Sequence, residues 1–424
     1  MLIVLGVVFL ILLFSGMPVA FSMLVATIAG IWFIGDLPWV IVPSKLFLSL
    51  NSFPLMAVPF FILAGEVMNH GGITHRLVRF AESLVAHLRG GLAQVNVVSN
   101  MLMSGISGSA AADCAAIGSM LIPSMKRAGY PAPFAVGLTA AASTMGPIIP
   151  PSILMIIYAG VTNMSVGALF LAGIVPGVTV GISLMILVAI YARHYGWKRA
   201  ANRASLMQII RTFADSFFAL LTPVIIVGGI LSGVFTATES GALACVYAIL
   251  VGKFIYKELK LSDFPKIFVD AAVTTAVTMV VLACASVFGF LLARAQFSVA
   301  LVQFITAISD DPTIVWFLII AILLVVGMFV EALAAMLIFI PALAPLVAVM
   351  GYDPLHFALV FIVLILLGAI TPPVGLLLYI SCSIGRVSVS QATIWPFVAA
   401  IVVVLLLMIF FPAVVLSVPR ALLG

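Results

Sequence analysis

The residues that could do chemistry in this chain are few, mostly neutral, and gathered at breaks. Four short runs interrupt long apolar stretches: SGISGS at 104–109, STMGPIIPP at 143–151, VGMFVE at 326–331 and LGAITPP at 367–373. Glycine lets a backbone turn, and proline frees the carbonyl four residues upstream. Serine and threonine add neutral oxygen ligands. Freed carbonyls and hydroxyls suit a hard monovalent cation, while the N-terminal ends of broken helices suit an anion. A single Pro-Pro break is an ordinary helix kink, but four breaks in matched pairs point to binding.

Three carboxylates, Asp113, Glu239 and Glu331, stand inside apolar runs, where an ionisable group is costly and functional by default. Asp113 follows the first break and Glu331 the third. Each is placed to neutralise a bound cation or to fix a tip by hydrogen bonding, with helix N-capping the competing role for Asp113. Glu239, in GVFTATES, reads as a partner for backbone amides at a helix break, and Asn100 as a hydrogen bonder between helices. Arg294 reads as a side chain snorkelling from the outer end of a span. The five histidines fall in loops or at predicted interfaces, so a proton relay or an intramembrane hydrolase lacks its base. There is no Walker A loop, and no enzymatic activity is expected.

The elements that must position these groups are set by composition. Of 424 residues, 65% are hydrophobic and 7% charged, and the mean hydropathy is +1.38. A soluble domain is about a quarter charged, so a water-soluble fold is excluded. At roughly 20 apolar residues per span, the length allows about ten helical crossings. The apolar stretches are continuous, which excludes a barrel. The +5 net charge does not imply nucleic acid, because the basic residues lie in short loops between apolar stretches. The four cysteines lie in apolar stretches without metal-ligand spacing and read as core filling. Residues 1–35 lack a basic leader and a cleavage site, and so read as part of the mature fold.

An internal repeat organises the chain. Gly129, Tyr130, Gly146, Pro150 and Pro151 recur as Gly351, Tyr352, Gly368, Pro372 and Pro373, each 222 residues later, and Gly105 with Gly327 fits the same shift. The reading is therefore an all-α polytopic membrane protein of two repeats, 1–212 and 213–424, joined by the polar connector 191–211. Arg76, Arg79 and Arg89 precede Gly105, whereas Asp310 and Asp311 precede Gly327; opposite loop charge at equivalent positions marks inverted topology. Basic residues flank 91–124 on both sides, which a hairpin that enters and returns keeps on one face. The first repeat holds scaffold helices, an amphipathic arm at 72–90, a re-entrant hairpin at 91–124 and a broken helix at 132–160. The second holds scaffold helices, a hairpin at 313–350 and a broken helix at 354–383. Residues 1–35 and 213–252 each make two spans, turning near Gly16 and Gly233. Each half then has about five spans and one hairpin, fifteen of the eighteen Lys and Arg face the cytosol, and both termini face the periplasm.

SGISGSAAAD after Asn100, GPIIPPS, GVFTATES, GMFVEALAAMLIFIPALAP and GAITPP together resemble the large membrane subunit of a tripartite ATP-independent periplasmic (TRAP) transporter, nearly end to end. One departure is Ala237, where the family usually has proline. The resemblance implies an elevator fold in the bacterial inner membrane that imports an organic acid anion, such as a C4-dicarboxylate, a sialic acid or another sugar or keto acid, on a sodium gradient. It also implies two partners: a small four-helix membrane subunit and a periplasmic binding protein. Two or more Na+ ions, transported with the substrate, would bind where each tip meets its break. The first such place is Ser104, Ser107 and Gly108 near Ser143 and Gly146. The second is Gly327 and Val330 near Gly368, Thr371 and Pro372. Ser107 and Ser109 would hydrogen-bond a substrate carboxylate with Glu331 nearby, while Asn100, Asp113, Glu239, Pro150, Pro151 and Pro373 support the site. The runner-up is a self-sufficient sodium–dicarboxylate carrier; a channel fits paired broken helices less well.

Overall fold

The computed structural model describes residues 1–35, 37–197, 203–309 and 311–423, and every regular element among them is helical. Asp310 and part of the connector lie outside the described residues. One hairpin pair, α1 (Leu2–Phe14) with α2 (Val19–Ile34), leads into α3 (Ile41–Leu50) and α4 (Ala57–His70), which meet at a 68° bend. The arm α5 (Ile73–Val85) follows, then α6 (Gly91–Ser107) and α7 (Ala110–Arg127), α8 (Ala132–Ser143) and α9 (Ile153–Thr162), and the long α10 (Val166–His194). Beyond the connector come α11 (Leu206–Leu231), α12 (Ala237–Leu250), α13 (Phe264–Arg294) and α14 (Phe297–Ile308). The chain continues with α15 (Pro312–Phe329), α16 (Ala332–Val349), α17 (Pro354–Gly368) and α18 (Leu376–Gly385), and closes with α19 (Trp395–Phe410) and α20 (Ala413–Leu423).

Among the described residues, six helices are long and apolar enough to cross a bilayer, or eight if each bent pair counts as one span. That is fewer than the ten expected. The reason is length: α2, with 16 residues, rises about 24 Å, short of a hydrocarbon core of ~30 Å. Conversely, α15 and α16 each have 18 residues and qualify as spans, so length alone does not tell a hairpin leg from a crossing.

The turns fall where the sequence punctuates. Gly16 and Gly233 both have positive φ between helices, which only glycine adopts at no steric cost. The division between the two halves at residue 212 falls inside α11. Ser109 and Glu331, 222 residues apart, each N-cap the second leg of a helical pair, accepting from Ala112 and Ala334 amides. Asp311 and Asp353 are also N-caps. Their loop charge therefore marks helix starts as much as membrane sidedness.

Two bodies of packing emerge. α7, α8 and α18 pack on one another, and α17, buried from His356 to Gly368, runs through the core against α15 and α16. Lys126 donates to the Gly385 carbonyl at 2.9 Å, tying α7 to the C-terminal end of α18. His356, expected at an interface, is buried and lies 2.8 Å from the Met408 carbonyl on α19. The other body joins α1–α4, α12 and α13.

The arm is latched to α11 and to the segment that follows α12. Arg76 reaches Glu258 at 2.7 Å and Asp215 at 3.3 Å, and stacks 4.0 Å above the Tyr256 ring. Its partners are about half exposed, so each pair contributes modestly. Arg76→Ala is expected to lower stability by about 1 kcal/mol, with a smaller loss at high salt. Thermal unfolding at two ionic strengths checks both.

Candidate functional site

The two tips meet the two breaks. At the first, the Ile153 amide opening α9 donates to the Gly108 carbonyl at 3.4 Å. A Cβ on Gly108 would lie 2.7 Å from the Pro151 carbonyl oxygen, and one on Gly146 would lie 2.7 Å from Asp113 Oδ2 and 3.0 Å from the Ala110 amide. At the second, the Gly375 amide before α18 donates to the Met328 carbonyl at 3.3 Å. There Gly327 and Gly368 pack backbone to backbone: a Cβ on Gly368 would lie 2.6 Å from Gly327 Cα. Both Pro-Pro bonds, 150–151 and 372–373, are cis. Pro150 and Pro151 are buried, whereas Pro373 is exposed.

The hydroxyls are disposed unequally. Ser104, Ser143 and Thr371 are buried and donate to carbonyls of their own helices, at 2.6 Å to Asn100, 2.9 Å to Ala140 and 2.6 Å to Leu367. A hydroxyl whose proton is committed this way keeps lone pairs for another donor or a cation. Ser107 donates to Asp113 Oδ1 and accepts from the Ser109 amide. Its proton is thus committed to Asp113. Ser109 accepts from Ala112 at 3.4 Å and retains its own O–H to donate.

Asp113 is fully buried, and its Oδ2 has no partner among the described residues. Capping at this helix start is done by Ser109 rather than Asp113. Glu331, expected to be buried, faces solvent-accessible space and caps α16 through its Oε2, 3.2 Å from the Ala334 amide. Glu239 forms a capping box with Thr236 at the start of α12 and lies exposed. Asn100 bonds only to Asn96 within its own helix, at 2.9 and 3.0 Å, and its Oδ1 is unpartnered; the bond between helices is Asn96 to Thr139, at 2.8 Å. Val330, extended and buried, ends α15. Pro372 is half-buried beside Thr371.

A cavity of ≈ 170 Å³ opens between the tips, bounded by Ser107–Ala112 on one side and Glu331–Leu333 on the other. Its polar lining beyond the tips was not anticipated: Glu66 and Asn69 of α4, with Thr274 and Thr278 of α13. Glu66 is a lone carboxylate in an apolar stretch, the same signal that singled out Asp113, but it lies close to the basic arm and His70. Thr274 and Thr278 are four apart and share one face of α13. No lysine, arginine or histidine among the described residues lines this cavity. No cluster of three or more His, Cys, Asp or Glu side chains that could hold a metal exists among the described residues.

Comparison with known proteins gives a consistent answer. The family model for the DctM component of tripartite ATP-independent periplasmic transporters matches residues 6–414. The chain is 39% identical to the sialic acid TRAP transporter large permease protein SiaM of Vibrio cholerae, over 97% of both chains. It is also 39% identical to the sialic acid TRAP transporter permease protein SiaT of Haemophilus influenzae, over 98% of this chain and 68% of that one. A C4-dicarboxylate TRAP transporter large permease protein, DctM of Pseudomonas aeruginosa, is 38% identical over 89% of this chain and 88% of its own length. A multi-pass helical membrane protein matched along nearly its whole length in this way belongs to the DctM-component family of tripartite ATP-independent periplasmic transporters, as a large permease.

Proposed function

We propose that this chain is the sodium-coupled, elevator-type permease of an importer for an organic acid anion. The observation that carries the reading is the charge of the central cavity. Glu66 and Glu331 line it, Asp113 lies buried behind the first tip, and no basic side chain among the described residues faces it. An anion entering alone would meet only like charge, so positive charge must arrive with it. The tip–break junctions offer neutral oxygens of the kind that bind sodium: Ser104 and Ser143 at the first and Thr371 at the second, with Asp113 adding charge at the first. We assign one Na+ to each junction, with Gly108 and Gly146 at the first and Gly327, Val330, Gly368 and Pro372 at the second. Ser109 is the tip hydroxyl that donates to the substrate carboxylate.

The parallel bounds of α6–α9 and α15–α18 support two repeats, and the positive-inside count supports their inversion, with both termini in the periplasm. The mobile body comprises the two hairpins and two broken helices. The scaffold comprises α1–α4 and α11–α13, braced by α5. The site would work in the bacterial inner membrane with a small four-helix subunit and a periplasmic binding protein, as the family name's "tripartite" suggests. The relatives named for sialic acid and C4-dicarboxylates support a carboxylated sugar or a dicarboxylate as the substrate class.

Uptake into proteoliposomes tests this. With the small subunit present, labelled sialic acid and succinate should accumulate only under an inward sodium gradient and only with the binding protein added. Uptake by the permease without a binding protein would favour a self-sufficient sodium–dicarboxylate carrier. Equal uptake in potassium would remove sodium coupling.

A further inference from the structure

A second cavity, of ≈ 510 Å³, continues the groove that holds the first. The same three helices line both: α13 through Thr278 and then Ser286, α9 through Ile157 and then Gly160 with Asn163 just past its end, α16 through Leu333 and then Leu337. From Thr278 to Ser286 is about 12 Å along a helix rising about 1.5 Å per residue. The fourth wall of the second cavity is α3, which contributes Lys45.

Charge changes sign along this groove. The first cavity holds two carboxylates and no cation, whereas the second holds one cation and no carboxylate. The Lys45 ammonium lies 4.8 Å from the Phe290 ring centroid, and no carboxylate among the described residues pairs with it. Ser52, Asn163 and Ser286 add neutral donors around the same space. An ammonium among neutral donors, partly shielded from water, holds a carboxylate by charge-assisted hydrogen bonds. The distribution of basic residues places Lys45 on the outer face, opposite the cytosolic arm.

We propose that Lys45, with Ser52, Asn163 and Ser286, forms an outer anion site that takes the carboxylate of an organic acid before it reaches the hairpin tips. The direction of travel rests on the importer reading; the chemistry of the site does not. Lys45 supplies the attraction that the inner cavity lacks, and the sodium ions at the tips replace it once the anion moves inward.

The test uses two thiol reagents of opposite charge, methanethiosulfonates carrying a sulfonate or a trimethylammonium group, added outside cells that express the permease with its small subunit. Ser286→Cys provides the target and Asn163→Cys a second one should the first fail to fold. The parent chain is the control, since its four cysteines are buried. The sulfonate reagent should label about tenfold faster than the ammonium reagent, and Lys45→Gln should abolish the preference while Lys45→Arg keeps it. Equal rates for the two reagents would overturn the site and leave Lys45 a snorkelling side chain. So would labelling from the cytosolic side only, or exclusion of both reagents by a lipid-filled cavity. A Lys45-dependent preference in a protein without sodium-driven uptake would keep the site and defeat the importer reading. Sodium-driven uptake without the preference would do the reverse.

Discussion

Gly368→Ala is expected to cut sodium-driven uptake roughly five- to a hundredfold without unfolding the protein. The new Cβ would stand 2.6 Å from Gly327 Cα and 2.7 Å from Gly327 C. Both contacts are backbone, so no flexible side chain can yield. Forcing atoms into a packed contact costs about 1–3 kcal/mol. Here the cost falls on the closed junction of the second tip alone, so it shifts the closing equilibrium by that factor. Gly327→Ala should act in the same direction more weakly, since its Cβ would lie 3.0 Å from Gly368 Cα. Gly228→Ala is the control, because a Cβ there meets nothing within 4 Å. Uptake assayed beside thermal unfolding separates lost closure from lost fold. Normal uptake by Gly368→Ala would show that the second tip does not need to close on its break.

Asp113→Asn is expected to weaken apparent sodium affinity by at least about tenfold, or ~1.4 kcal/mol. The substitution preserves shape and removes charge. Asp113 is buried, accepts from Ser107 on one oxygen, and turns its unpartnered oxygen towards the break at Gly146. A buried carboxylate oxygen without a donor is costly unless a cation or water meets it. Ser107→Ala separates charge from geometry. It removes the hydrogen bond and leaves the carboxylate, so it should loosen the tip while sodium dependence persists. Sodium activation curves for uptake read both variants. If Asp113→Asn matched the parent, the carboxylate would only hold the tip in shape.

Much of the framework was legible because glycine and proline punctuate it twice. The turns at Gly16 and Gly233, the tips at Gly108 and Gly327 and the breaks at Gly146 and Gly368 each carry a local backbone requirement. Gly105 with Gly327 and Gly146 with Gly368 recur 222 residues apart, one tip and one break in each half. What depended on side-chain direction was less legible. Asn96 and Asn100 are one turn apart, and the sequence does not say which reaches α8. Ser109 and Asp113 both suit a helix start, and only backbone geometry makes Ser109 the cap. Glu66, Asn69, Thr274 and Thr278 come to the cavity through the packing of α4 and α13, which no local pattern in either stretch records.

The central claim is that cations bind at the two tip–break junctions, and thermal unfolding of the purified permease tests it most directly. The protein would be compared in sodium and potassium chloride at equal ionic strength, over a range of concentrations. A ligand bound only by the folded state stabilises it by RT ln(1 + [L]/Kd), about 2.7 kcal/mol at a hundredfold excess over Kd. Sodium-specific stabilisation that shrinks in both Asp113→Asn and Gly368→Ala, and persists in Gly228→Ala, is the predicted result. Identical unfolding in the two salts at every concentration would contradict the account.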